Sequence, residues 1–427
     1  MRISFIERGF LIITLLAAFV LAGCSNEKAF KQELVSRSFA ESANDPEFQF
    51  KAFQSLPDSV DFLFRLNTER LLYARTETGD LAAVVVIEIN VQNKTSDGAA
   101  IPSKSIRIID RDEARLAKTL QAATRMYLPR GSTYRVDFNV KDVQRQQSYP
   151  NYTDLNRIDS DDRSNFLVIN DSSDLAIFGD RIGPKRTYKI LSYAINTGTT
   201  KIRVDYYNRE FPLPPPPFIE YNPDSFNYQP DSIFYLKPNL ENELTLKSAR
   251  EGFYHFRIDT TSKKGLSLFV SESEFPKVTT VKNMIEPFRY LLSNNEYKNI
   301  HNRDYDRAEF EKIWVNWAGS KDRAKACIKA YYSRVEYSNK YFSSHVDGWK
   351  SDRGLVYIVH GKPNKVYSTE LVERWIYGEE NNPLSITFNF VTVINPFTDN
   401  DFRLNREDFY KPSWYRAVNA WRDGRIY

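Results

Sequence analysis

Gly348-Trp349-Lys350-Ser351-Asp352-Arg353-Gly354, continuing through Leu355-Val356-Tyr357-Ile358-Val359-His360 to Gly361-Lys362-Pro363-Asn364, is the stretch from which the rest of the 427-residue chain can be read. A large aromatic anchor and an Asp-Arg-Gly turn precede an unbroken apolar run, which stops at a Gly-x-Pro-Asn turn. The stretch therefore reads as a loop feeding a buried strand. On that reading Asp352 caps a turn through its own backbone, Gly354 takes a positive φ, and Arg353 pairs with a carboxylate such as Glu373. Trp349 fills the space between a helix and the sheet.

Upstream, Asp306 with Glu309 three residues on makes a capping box, and Phe310, Ile313, Trp314 and Trp317 repeat at helical spacing. Ala318-Gly319-Ser320 breaks that helix, and a second runs from 321 to 342 with Ala324, Cys327, Ile328, Tyr331 and Val335 on one face. The helical pair covers a sheet made of 355–360, 372–377 and 384–391, in which Leu384, Ile386, Phe388 and Phe390 share a face. Pro412 and Ser413 open a closing helix that aligns Trp414, Val418 and Trp421 and ends before Gly424. All 6 tryptophans fall between Trp314 and Trp421, which marks 276–427 as an α+β body with its own core.

With these residues in place, the region resembles the GWxTD domain. Gly348, Trp349, Asp352, Arg353, Gly354, Tyr357, Gly361 and Pro363 fall in its pattern, and the Trp-Tyr-x-x-Val-x-x-Trp ending extends the likeness over 281–427. Ser351 stands where the family usually has Thr; it keeps the hydroxyl and loses the methyl. The family is usually found in bacterial envelope lipoproteins and its chemistry is poorly defined, so the resemblance implies a place more than a reaction.

The region before it is β-rich. Residues 81–91 are apolar and β-branched, and Tyr134, Val136, Phe138 and Val140 alternate with polar residues, the period of a half-buried strand. These predict an immunoglobulin-like sandwich over 58–160. A second sandwich is predicted over 161–275, from the alternation of 201–206 and of Tyr254, Phe256 and Ile258, with His255 on the exposed polar face. Between those strands Phe211-Pro212-Leu213-Pro214-Pro215-Pro216-Pro217-Phe218 must be extended polyproline II, either a stiff crossover within the sandwich or a segment for an aromatic groove on a partner. Asp159-Ser160-Asp161-Asp162 lacks the glycine and terminal glutamate of a calcium loop and reads as a solvated linker.

The N-terminus carries an address. Arg2 and Arg8, an apolar core from Phe10 to Val20, and Leu21-Ala22-Gly23-Cys24 make residues 1–23 a lipoprotein signal peptide, too short in its apolar core for a comfortable membrane span. Cleavage leaves Cys24 as the lipid attachment site, where acyl chains add roughly 0.8 kcal/mol per buried methylene. Residues 24–57 then read as a tether, with a helical stretch near 30–39. Ser25 lacks the Asp of inner-membrane retention, so the outer membrane is the expected address. Ser25-Asn26-Glu27-Lys28 has one acid where surface display uses an acidic run, which favours the periplasmic face over the cell surface. With Cys24 acylated, Cys327 has no partner for a disulfide, and its apolar helical face marks an inert thiol.

The formal charge of +4 falls to +3 when Arg2, Glu7 and Arg8 leave with the signal, too small an excess for a nucleic-acid groove. No phosphate loop, paired-cysteine or histidine metal spacing, or nucleophile elbow is present, so no cofactor, metal site or catalytic residue is assigned. The expected function is that of a lipid-anchored accessory protein, docking onto an outer-membrane complex for protein export or biogenesis. Two alternatives are a periplasmic peptidoglycan or glycan hydrolase using Asp352 with a nearby histidine (His345 or His360), and a periplasmic glycan-binding protein presenting Trp414 and Trp421.

Overall fold

The structure of the chain is a computed structural model that describes residues 47–427, apart from 77–78, 96–100, 112–117, 160–161, 194, 196–200, 222–227, 273, 302–304 and 370. The signal peptide, Cys24 and residues 24–46 of the expected tether lie outside the described residues, as do Ser160 and Asp161 of the acidic cluster. The tether is shorter than its sequence suggested, because Glu47–Leu56 is a strand. Its Phe48 and Phe50 alternate with Gln49 and Lys51, and Pro57-Asp58 turns it back onto Ser59–Asn67. Leu56-Pro57 thus marks a hairpin and not a linker.

Two sheets enclose the first core. One runs Glu47–Leu56, Ser59–Asn67, Thr119–Tyr127. The other runs Ala74–Arg75, Leu81–Asn93, Thr133–Asp142, Gln147–Asn156, with Lys104–Arg111 also on Leu81–Asn93. Strand alternation sends Phe62 and Phe64 from one sheet and Val85, Ile87, Val136 and Phe138 from the other into one buried cluster. The Phe138 ring meets Phe62 edge-on at 5.8 Å and Phe64 at 5.7 Å.

The second core repeats this plan. A sheet ordered Leu175–Ile177, Leu167–Asn170, Thr187–Leu191, Glu243–Lys247 faces one ordered Arg181–Ile182, Leu266–Val270, Gly252–Arg257, Ile202–Tyr207, Ser232–Leu236. Val168, Ile190, Val204, Leu244, Phe256 and Leu268 fill the space between. His255 is not exposed as expected. It is 2% accessible, because the outer face of this sheet is covered by Phe397 from the C-terminal region, whose ring meets the imidazole at 5.1 Å and 87°. Both imidazole nitrogens are engaged, Nδ1 with Ser267 Oγ and Nε2 with the Lys263 carbonyl, each at 2.9 Å.

The C-terminal region is helical around a small meander. Its helices are α1 (Val281–Phe288), α2 (Asn294–His301), α3 (Arg307–Ala318), α4 (Lys321–Tyr341), α5 (Asp352–His360) and α6 (Lys411–Arg422). Its sheet runs Lys365–Ser368, Val372–Tyr377, Ile386–Thr392, Phe402–Leu404. Asp306 caps α3 through Ala308 and Glu309, Gly319 ends it in the left-handed region, and Ser320 caps α4, the hairpin the spacing predicted.

The expected strand over 355–360 is instead α5. Every residue from Asp352 to His360 is buried, and a helix surrounded on all sides gives the same unbroken apolar run as a buried strand. Leu384, expected on the sheet face, precedes the strand and is exposed.

Candidate functional site

The signature sits where a ten-residue return from α4 closes against that helix. Gly348 lies so near it that a Cβ would stand 1.7 Å from the Ser338 carbonyl oxygen. Gly348 N–H donates to Ser343 Oγ at 2.8 Å, and Trp349 N–H to Asn339 Oδ1 at 3.1 Å. The Trp349 indole is buried; Tyr290 approaches it edge-on and donates its hydroxyl to the Trp349 carbonyl at 2.8 Å.

Ser351 performs the capping expected of Asp352. Its Oγ donates to the Gly348 carbonyl at 2.7 Å and accepts from Gly354 N–H at 3.0 Å, which starts α5. A hydroxyl suffices for both bonds. Gly354 does not take a positive φ; it is helical, and it must be glycine because a Cβ would stand 1.9 Å from the Gly348 carbonyl oxygen. Gly361 does take one, at +82°, where the chain leaves α5 toward the buried Pro363.

Freed from capping, Asp352 reaches across to the end of the meander. Its Oδ2 accepts from Leu404 N–H at 2.7 Å and from Arg406 Nη1 at 3.0 Å, and Oδ1 accepts from Arg406 Nη2. Arg353 forms the expected pair with Glu373, at 3.2 Å, and adds a bond to the Asn400 carbonyl at 2.9 Å. Its guanidinium stacks 4.0 Å from the Phe402 ring centre. Trp375 Nε1 donates to the other oxygen of Glu373. Both ion pairs are buried, so each charge depends on its partner.

The histidines do not join this carboxylate. His360 is enclosed by Tyr377, Phe388, Trp414 and Tyr427, and neither of its nitrogens has a hydrogen-bond partner. Burial, aided by the Arg334 charge, pushes its pKa down to about 3, so it is neutral at ordinary pH. His345 stands 3.7 Å from Asp401 Oδ2, and burial lowers its pKa as well.

A cleft of about 630 Å³ lies between the second β body and the helices, lined among others by Arg181, His345, Asp347, Trp349 and Lys350. Neither Asp352 nor His360 lines it. Arg181 bridges its floor, donating to Asp347 at 2.9 Å and to the Ser344 and Val346 carbonyls at 3.0 and 2.7 Å.

Trp414 and Trp421 are buried in the helical core and present no exposed platform for a glycan. Cys327 is a free, buried thiol whose pKa burial pushes up. Among the described residues no group of three or more His, Cys, Asp or Glu could hold a metal ion, and no helix is long and apolar enough to cross a membrane.

The sequence alone did not reveal Arg406, Asn400, Asn339, Tyr290 or Phe397. Arg406, Asn400 and Tyr290 act across 47 or more residues of chain and Phe397 from a loop, where no local spacing signals a partner; Asn339 accepts from Trp349 N–H from within α4.

The family model described as the GWxTD domain matches residues 252–423. The match opens in strand Gly252–Arg257, earlier than the helical region. No curated protein matches the chain. Among solved structures, a β-glucuronidase of Bacteroides uniformis is similar at 12% identity over 27% of this chain and 14% of that one, with a TM-score of 0.17. Red sea bream transglutaminase is similar at 11% identity over 56% of this chain and 32% of that one, with a TM-score of 0.20. The chain thus spans less than a third of either protein's length, and neither likeness bears on its fold or activity.

Proposed function

We propose that this chain, whose residues 252–423 match the GWxTD domain, is a lipid-anchored, non-enzymatic accessory protein of the bacterial outer membrane, which docks onto an envelope assembly for protein export or outer-membrane biogenesis. The single observation that carries this reading is that the charged signature residues are held by the protein itself: Asp352 by Arg406 and the Leu404 amide, Arg353 by Glu373 and Asn400. A hydrolytic carboxylate has to meet a substrate, whereas this one meets a guanidinium.

On this reading Leu21-Ala22-Gly23-Cys24 is cut before Cys24, the acylated cysteine enters the periplasmic leaflet of the outer membrane, and 24–46 spans the gap to the folded part. The two β bodies are immunoglobulin-like sandwiches with boundaries near 160 and 275, stacked as spacers that carry the helical body toward its partner. Crosslinking of the native lipoprotein in whole cells, followed by detergent extraction and pull-down, tests the reading. A stable outer-membrane partner retained by wild type and lost on Cys24→Ser is the expected result. Recovery of the chain without membrane partners, or in the soluble fraction, overturns it.

A further inference from the structure

Strands Ile202–Tyr207 and Ser232–Leu236 are antiparallel neighbours, yet the chain between them takes a long route. The crossover expected of the proline run is present. It does connect two strands of one sheet, and it also docks, on the helical body of its own chain, where Leu213 and Phe218 pack against the core.

The run is not extended throughout as expected, because it closes in a turn at Pro217-Phe218, where Ile219 N–H donates to the Pro216 carbonyl at 3.0 Å. A proline run has almost no N–H groups, so what it can offer is carbonyl oxygens and side chains. Both are used. Arg406 Nη2 donates to the Pro215 carbonyl at 3.3 Å, and Glu407 N–H donates to the Pro217 carbonyl at 3.2 Å. The Phe218 ring rests on Tyr415, with centroids 5.5 Å apart and planes at 35°, and the Lys411 ammonium stands 5.8 Å from it. At the other end Phe211 meets His345 edge-on at 4.7 Å. Donors to proline carbonyls beside aromatic faces are the means by which extended proline-rich segments are recognised. The Arg406 fork is held by the Asp352 carboxylate, so the signature acid aims the guanidinium that reads the proline carbonyl.

We propose that Arg406, Glu407, Lys411 and Tyr415 form a polyproline-recognition groove whose resident ligand is this chain's own segment 211–218, and that the groove takes an extended proline-rich segment of a partner protein when the resident segment is displaced. This goes beyond the anchoring reading and stands without it, since it rests on contacts within the chain. Tethered at both ends, the resident segment meets the groove at an effective concentration on the order of millimolar, which keeps dilute peptides out of the intact protein.

The test uses a fluorescent peptide of sequence Phe-Pro-Leu-Pro-Pro-Pro-Pro-Phe and the full chain, read by anisotropy. Combining Pro214→Gly, Pro215→Gly, Pro216→Gly, Pro217→Gly and Phe218→Ser should loosen the resident segment and raise peptide affinity at least about tenfold over wild type. Adding Arg406→Lys, which keeps the charge and loses the fork, should remove most of that gain, and a peptide with serine for every proline should not bind. A natively folded loosened chain that binds no peptide at about 1 mM overturns the proposal. If that chain does not fold, hydrogen exchange on the otherwise intact chain decides. Arg406→Lys alone should speed exchange of the Glu407 amide, which donates to the Pro217 carbonyl, and leave α4 protected; unchanged exchange at Glu407 overturns it.

Discussion

Arg406 grips both carboxylate oxygens of Asp352, and the same guanidinium reaches the Pro215 carbonyl, so the signature acid is tied at once to the end of the meander and to the segment arriving from the β body. Asp352→Asn leaves a buried guanidinium without its counter-charge, a loss of about 3–5 kcal/mol. Denaturant unfolding of the variant should show that loss. A hydrolase using Asp352 would behave otherwise, losing turnover at an unchanged midpoint, and an unchanged midpoint would sink the architectural role given to this residue.

Gly348→Ala and Gly354→Ala test the close approach of the return loop. A methyl at either position meets backbone oxygen at 1.7 or 1.9 Å, and backbone inside a packed helix pair cannot step aside. Each should cost about 3 kcal/mol or more, the upper end for overpacking. Gly131→Ala is the control: its φ of +89° is strained for alanine, but nothing lies within 4 Å, so about 1–2 kcal/mol is expected. Losses at Gly348 and Gly354 no larger than at Gly131 would mean that the nearby backbone oxygens do not exclude a methyl at the signature glycines.

What the sequence disclosed follows from the range over which each signal acts. Caps and face periodicity are local, so α3, α4 and α6 could be placed from Asp306, Ser320 and the Trp414 to Trp421 spacing. The Arg353 to Glu373 pair could be anticipated from opposite charge within one short region, although the rest of α5, a turn and strand Lys365–Ser368 lie between the two. Burial on every side erased the periodicity of α5, leaving the Ser351 cap as its one helical mark. His255 was misjudged, and the seat of the proline run within its own chain was not foreseen, for a different reason: what covers them comes from the other body, through Phe397 and through Arg406. Contacts between bodies leave no trace in the spacing of either one.

Phe397 should therefore be a coupling residue. Carried on a loop of the helical body, it is buried against Tyr207, Phe253 and His255 of the second β body, at ring distances of 5.2, 4.9 and 5.1 Å. Phe397→Ala should remove about 3–5 kcal/mol, most of it from the contact between bodies. Calorimetry is expected to show the two bodies melting together in wild type and separately in the variant. A single transition lowered as a whole would assign Phe397 to one core alone.

His360 predicts the acid limb of stability. An imidazole in the unfolded chain takes its proton near pH 6.5, whereas His360 in the fold takes it only near pH 3, because burial disfavours the charged ring and Arg334 stands close. Between those values the unfolded state holds the extra proton, so the fold loses up to about 1.4 kcal/mol for each pH unit below 6.5 and keeps the full contribution above it. His255, pushed down to about 4 by burial, adds a second slope of the same sign. Asp180 and Asp401, raised by burial, act in the opposite direction and moderate the total. His360→Phe keeps a ring among Tyr377, Phe388, Trp414 and Tyr427 while removing the proton and the two unpartnered nitrogens. It should match or exceed wild-type stability at neutral pH and retain roughly 3 kcal/mol more than wild type two pH units below the free imidazole value. Urea unfolding across that pH series measures the difference, and parallel acid limbs for the two chains would show that His360 does not carry this part of the pH dependence.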